Sequence, residues 1–216
     1  MLVRPLVLAS LLFVVAACGG GSSSTTGQAP DVLLTPSKLD ATAPATYDAV
    51  FHTSAGDFTV TVHRDWAPHG ADRFYNLVKH GFYDGQRIFR VVPDFVVQWG
   101  ISAYPEVSSA WQNATIPDDP VTQHNDAGMI TFATAGPNTR TTQVFVNMTS
   151  NRSLDAMGFA PFGKVTSGMD TFSKLYSGYG EQPTSEQQAM SEQGEDSFRQ
   201  HWPKLDTIES AKLAST

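Results

Sequence analysis

Ile88–Gly100 reads IFRVVPDFVVQWG. It splits into two short runs, Ile88–Val92 and Phe95–Trp99, hinged at Pro93-Asp94. Most of these residues are β-branched or aromatic and suit a pleated, half-buried surface, so the stretch is expected to form two adjacent strands. Arg90 interrupts the first run and Gln98 closes the second. A guanidinium on an apolar strand needs a partner or a task, because burying an unpaired charge is very costly. The alternative is a rim arginine whose head snorkels to water.

The rest of the chain bounds what such a strand pair can serve. With 216 residues, 41% of them hydrophobic, there is material for one sizeable core and one domain. Fourteen Lys and Arg against 21 Asp and Glu give a net charge of −7. That balance argues against nucleic-acid binding, whose affinity comes from neutralising phosphates. A single cysteine excludes an internal disulfide and a thiolate zinc site.

The N-terminal stretch is set apart from the fold by composition. Met1–Arg4 is a short positive segment, Leu6–Val15 an apolar one too short for a comfortable membrane span, and Val15-Ala16-Ala17-Cys18 follows. This pattern resembles the lipobox of bacterial lipoproteins, which implies a signal peptide over 1–17 and lipidation of Cys18. The Gly/Ser/Thr-rich Gly19–Gly27 and the Pro/Thr/Ala-rich Ala29–Thr46 read as a flexible tether over 18–46. The expectation is a domain over 47–216, with a C-terminal extension, anchored by lipid in a bacterial cell envelope, on the outer-membrane or periplasmic side.

Tyr47–His52 and Phe58–His63 alternate around Ser54-Ala55-Gly56-Asp57 and predict a hairpin. Pro68 opens a helix with apolar Ala71, Phe74, Leu77 and Val78, and Gly81 ends it. Ile101–Asn125, with three prolines and no clear period, reads as a long surface loop. Met129–Ala133, Gln143–Asn147, Phe162–Val165 and Leu205–Leu213 read as further strands, Met169–Tyr176 and Thr184–Gln193 as helices. Many short strands, few helices and hairpin turns indicate a mainly β antiparallel barrel or sandwich, and periodicity does not choose between them.

Five segments in order carry a resemblance. Phe89-Arg90-Val91-Val92-Pro93 with Phe95 and Gln98, then Gly128–Ala133, Ala135–Thr139, Gln143-Val144-Phe145-Val146, and Leu154-Asp155 with Pro161–Val165 together resemble the cyclophilins. The resemblance covers Tyr47–Val165. It implies a closed eight-stranded antiparallel barrel capped by two helices. It also implies cis–trans isomerisation of X-Pro peptide bonds without a cofactor, acting on proline-containing segments of envelope proteins, and a monomer.

An X-Pro bond rotates slowly because amide resonance sets a barrier of about 20 kcal/mol. A catalyst must favour the twisted state, in which the prolyl nitrogen regains its lone pair. Arg90 would donate to that nitrogen and Gln98 would hold the guanidinium. Phe95, Val96, Phe145, Leu154 and Phe159 would wall the proline pocket. Ala133 and Thr134 would offer backbone groups to the preceding residue, and Gln143 a further polar contact. Phe95, Phe145, Leu154 and Phe159 have a simpler reading as core, and both glutamines as satisfied strand-edge amides.

The chain departs from the family pattern in four places. The family's tryptophan falls at or near Ser153, its wall histidine at Phe159, a methionine at Val96 and an asparagine at Thr134. Loss of the indole should weaken cyclosporin-type ligands without abolishing isomerisation. These departures leave room for a rival, a peptide-binding chaperone on the same fold with little turnover. A structural envelope protein that reuses the barrel is a third class.

Other motifs fail on chemistry. Gly158–Lys164 has P-loop spacing but ends in Val165 and is filled with Phe159, Pro161 and Phe162. The six histidines show no metal-ligand spacing, and no G-x-S-x-G marks a serine hydrolase.

Overall fold

The computed structural model describes residues 28–214. Eight antiparallel strands form one sheet: β1 Thr46–Thr53, β2 Gly56–His63, β3 Arg90–Val91, β4 Val96–Trp99, β5 Met129–Phe132, β6 Val144–Asn147, β7 Gly163–Ser167 and β8 Ile208–Leu213. Their order is β3-β4-β6-β5-β7-β2-β1-β8. The helices are α1 Pro68–Lys79, α2 Pro105–Trp111, α3 Met169–Phe172, α4 Gln187–Gln193 and α5 Glu195–His201. α1 is the long one at 12 residues, and the expected pair of caps is completed by short helices instead of one second rod.

The sheet is open, not the closed barrel expected. β3 and β8 are its edges. Across the gap lie an isolated Arg87–Thr207 bridge and backbone bonds from Gly85 N to Ile208 O (2.8 Å) and Ile88 N to Asp206 O (2.9 Å). The reason is local: β3 has only two residues before the turn at Pro93, and Phe89, just ahead of it, is buried under α4 and α5 with Ile101, Met190, Phe198 and Leu205.

The core follows from period two. β1 buries Ala49 and Phe51, and β2 buries Phe58, Val60 and Val62. Phe51 stacks on Phe58 at 4.7 Å and meets Trp99 edge-on at 5.7 Å. Phe74, from the buried face of α1, reaches Phe162 at 5.0 Å. α1 starts at Pro68, whose fixed φ suits the first helical position. No cap side chain sits at Ala67; instead the Asp119 carboxylate accepts His69 N (3.0 Å) and Gly70 N (2.9 Å). At the other end Phe82 N donates to Leu77 O and Gly81 takes φ +71°, the left-handed stop of a helix.

Two segments read as loop or tether are ordered parts of the fold. Residues 28–46 hold two short 3-10 turns, Asp31–Leu34 and Pro36–Lys38, and bury Leu33, Leu39 and Ala43. Trp111 Nε1 donates to Leu33 O at 2.8 Å. Within 101–125, α2 buries Val107 and Trp111. In both, apolar residues too sparse to show a period find cover against the same core. Met169–Tyr176 is helical only over Met169–Phe172. Leu33→Ala should therefore cost about 2–4 kcal/mol, the usual toll of a buried leucine. A urea titration checks this; an unchanged midpoint would mean the segment is merely draped on the domain.

Candidate active site

The strand alternation that fills the core also builds a second surface. Val91, Val97, Trp99, Val144 and Val146 join the main core. Their alternates on β3, β4 and β6 face the other way. Register then gathers them: Arg90 pairs with Gln98, Gln98 with Phe145, and Thr131 with Phe145. Val96, Phe145 and Leu154 form a separate buried apolar cluster with Phe95, Ala133 and Phe159 packed against it.

Between these side chains lies a cavity of about 260 Å³, lined by Arg90, Phe95, Val96, Gln98, Ala133, Thr134, Phe145, Leu154 and Phe159. All of these are sequence-derived candidates. Gln143 is absent from that lining and borders a neighbouring cavity of about 770 Å³. That larger space is lined by no cation. Glu181, Thr184 and Gln187 also line the small cavity. Sequence reasoning missed them: they come from the C-terminal part of the chain, and no local pattern signals a contact across 91 residues.

Arg90 lines this space on its polar side, its side chain 20% exposed. Nη1 donates to Gln98 Oε1 at 2.9 Å and Nη2 to Glu181 Oε1 at 2.7 Å. Nε is buried without an acceptor among the described residues. The carbon of the guanidinium lies 5.2 Å from the Phe95 ring centre, a cation–π contact that fixes the plane. The turn that brings Phe95 under it is Pro93-Asp94, with Asp94 at φ +60°, a conformation aspartate tolerates. The far wall is Phe145 edge-on to Phe159 at 5.5 Å. Ser153 is exposed and is not among the residues that line the cavity.

The backbone at Ala133 is partly committed, since its N–H donates to Gln143 O at 2.9 Å; its carbonyl is what a peptide can use. The Thr134 hydroxyl is held within its own turn by Gly136 and Thr139. A polar brace backs the walls. Asn151 Nδ2 donates to Phe95 O (2.9 Å), and Asn125 Nδ2 donates to Phe159 O (2.9 Å) and Asp155 Oδ1 (2.8 Å). Burial pushes the Asp155 carboxyl up, but the hydrogen bonds from Asn125 and His124 outweigh it and hold it below the usual range. No group of three or more His, Cys, Asp or Glu gathers as a metal site among the described residues.

Comparison with known proteins agrees with this geometry. The family model "Cyclophilin type peptidyl-prolyl cis-trans isomerase/CLD" matches residues 49–194. Peptidyl-prolyl cis-trans isomerase-like 1 of Rhizopus delemar is 31% identical over 59% of this chain and 79% of its own length. Peptidyl-prolyl cis-trans isomerase ppi1 of Schizosaccharomyces pombe is 32% identical over 57% and 81%. A Cryptosporidium parvum cyclophilin type isomerase superposes with a TM-score of 0.58 at 19% identity, covering 79% of this chain and 99% of that one. The same protein has been crystallised in the presence of the dipeptide Ala-Pro.

The relatives also correct the envelope location expected from the N-terminal stretch. They are fungal and plant isomerases, not bacterial envelope lipoproteins. That expectation rested on a short compositional signal over 1–27, and those residues, Cys18 among them, lie outside the described ones. Fold, site and family model converge, and the chain belongs to the cyclophilin-type peptidyl-prolyl cis-trans isomerases.

Proposed function

We propose that this isomerase works by presenting the Arg90 guanidinium to the prolyl nitrogen of a peptide whose proline ring occupies the cavity walled by Phe95, Val96, Phe145, Leu154 and Phe159. The observation that carries the reading is a permanently charged donor fork beside the apolar walls Phe95, Val96, Phe145, Leu154 and Phe159 of a cavity of about 260 Å³. No bond is broken in the reaction. In the planar ground state the nitrogen lone pair is delocalised into the carbonyl and accepts poorly. As the bond twists, the lone pair localises and becomes a good acceptor, so donation from Arg90 is worth more in the transition state than before it. The apolar walls exclude water from the ring and strengthen that interaction.

The substrate class is a proline-containing polypeptide segment. Ala133 lines the cavity, and its carbonyl would accept from the backbone N–H of a residue flanking the proline. The C. parvum protein's crystals with Ala-Pro support a proline dipeptide as the minimal unit.

Phe145→Ala tests the pocket. Phe145 is 4% exposed and forms the wall opposite Phe95. Removing the ring should weaken peptide binding by about ten- to thirtyfold, the value of a buried aromatic contact of roughly 1.5–2 kcal/mol. NMR titration with a proline tetrapeptide reads the affinity, and a protease-coupled assay reads turnover. Unchanged affinity in a folded variant would place the proline elsewhere.

A further inference from the structure

The segment Glu181–Gln187 touches the site at both ends. Glu181 Oε1 accepts from Arg90 Nη2 at 2.7 Å. From the other terminal nitrogen runs a one-way series of donors. Arg90 Nη1 donates to Gln98 Oε1 (2.9 Å), Gln98 Nε2 to Gln143 Oε1 (2.8 Å), and Gln143 Nε2 to Gln187 Oε1 (3.0 Å). Gln187 Nε2 then donates to Thr184 O at 3.1 Å, three residues from where the circuit began. Every amide accepts on oxygen from one neighbour and donates through nitrogen to the next. Such chains polarise one another and fix each amide's orientation. The guanidinium is thus gripped at one nitrogen by a carboxylate and at the other by a relay that returns to the same short segment.

The segment buries Pro183 and runs directly into α4 and α5, which are themselves firmly held. Phe89, the residue before Arg90, packs with Met190, Phe198 and Leu205 from α4, α5 and the stretch beyond. Arg87 pairs with the half-buried Glu195 and donates to Leu205 O at 3.0 Å. Gly194, at φ +59°, passes so close to Ala103 O that a Cβ there would collide with it. Glu195 N donates to the same carbonyl at 3.1 Å. Gln187 is the first residue of docked α4, and Glu181 is tied to it by the intervening 3-10 turn Gln182–Glu186. The Arg90–Glu181 pair is too exposed, at 20% and 53%, to matter much for folding. Its consequence is orientation.

We propose that Glu181 and Gln187 are positioning residues of the isomerase: they hold the Arg90 fork in the geometry that meets the twisting imide, Glu181 directly and Gln187 through Gln143 and Gln98. The inference rests on Arg90 being the donor. Glu181 leaves the guanidinium's remaining N–H groups for substrate, and the relay stops Gln98 from rotating its amide away.

The test is exchange NMR on the full chain with a saturating proline tetrapeptide, which gives interconversion on the bound peptide separately from affinity. Glu181→Ala and Gln187→Ala should each slow interconversion about three- to tenfold, the loss expected when one hydrogen bond orienting the donor is removed. Peptide affinity should change by less than about twofold, since both residues line the polar margin and the apolar walls Phe95, Val96, Phe145, Leu154 and Phe159 remain. Glu181→Gln, which keeps an acceptor oxygen, should retain at least about half the rate. In an Arg90→Ala background neither alanine change should slow interconversion further, because the group they position is gone. Thermal melts confirm that each variant is folded. Wild-type rates in Glu181→Ala and Gln187→Ala, faster rates, or the same fractional losses with and without Arg90 would overturn the positioning role while leaving Arg90 in place. Equal rates in wild type and Arg90→Ala would remove the donor reading and this inference with it.

Discussion

Arg90→Ala should lower kcat/KM for a proline tetrapeptide by about 10²–10³, the loss seen when one preorganised donor worth about 3–4 kcal/mol is removed. The fold should survive, because the guanidinium lies outside the main core, Glu181 is exposed and Gln98 keeps its bond to Gln143. Peptide affinity should fall far less than rate, since the apolar walls remain. Arg90→Lys should recover little. An ammonium is a single point of charge and lacks the planar fork that serves Gln98, Glu181 and a substrate at once. A protease-coupled assay reads the rate and NMR titration the affinity. A parallel drop in both would make Arg90 a binding residue only.

The second large effect concerns stability. Asp119 and Arg140 form a buried pair, with side chains 1% and 3% exposed and Nη2–Oδ2 at 3.0 Å. The same carboxylate accepts the first two free backbone N–H groups of α1. Asp119→Ala would leave the buried Arg140 only the long contact to the more exposed Asp118, at 3.4 Å, and the Pro117 carbonyl, and would uncap α1 in the same step. Breaking a buried pair from one side costs about 3–5 kcal/mol, and losing a cap adds about 1 kcal/mol. Against a typical total of about 5–15 kcal/mol, that should leave a barely stable protein. Chemical denaturation measures it. Replacing both partners by apolar residues should recover much of the loss, whereas a wild-type midpoint in Asp119→Ala would mean that water reaches the site.

Asp119 also shows where the sequence stopped speaking. It lies in a Pro-rich stretch that reads as surface loop, and nothing nearby announces that its partner is Arg140 or that it caps a helix 49 residues earlier. The same holds for Glu181 and Gln187. A helix near 184–193 is legible from composition, but its seat beside Arg90 depends on Phe89 and Gly194, single residues without a pattern. Leu33 and Trp111 belong with them: too few apolar residues to set a period, yet enough to bury one another.

What was legible was short-range. Two β-branched and aromatic runs hinged at Pro93-Asp94 read plainly as adjacent strands, and the cation inside the first, followed by Gln98 on the second, marked the place of the site. The turn at Pro93-Asp94 was equally plain, because proline fixes φ and aspartate accepts the left-handed position. Closure of the sheet was not. Whether edges meet depends on how long β3 runs before Phe89 is drawn away, and that is a tertiary outcome.

The most direct measurement is a crystal structure of the full chain with a bound Ala-Pro-containing peptide. The proline ring should lie among Phe95, Phe145, Leu154 and Phe159, with a nitrogen of Arg90 about 3 Å from the prolyl nitrogen or the adjoining carbonyl. A ring seated in the larger neighbouring cavity, or a guanidinium that keeps only Gln98 and Glu181 and ignores the peptide, would contradict the account.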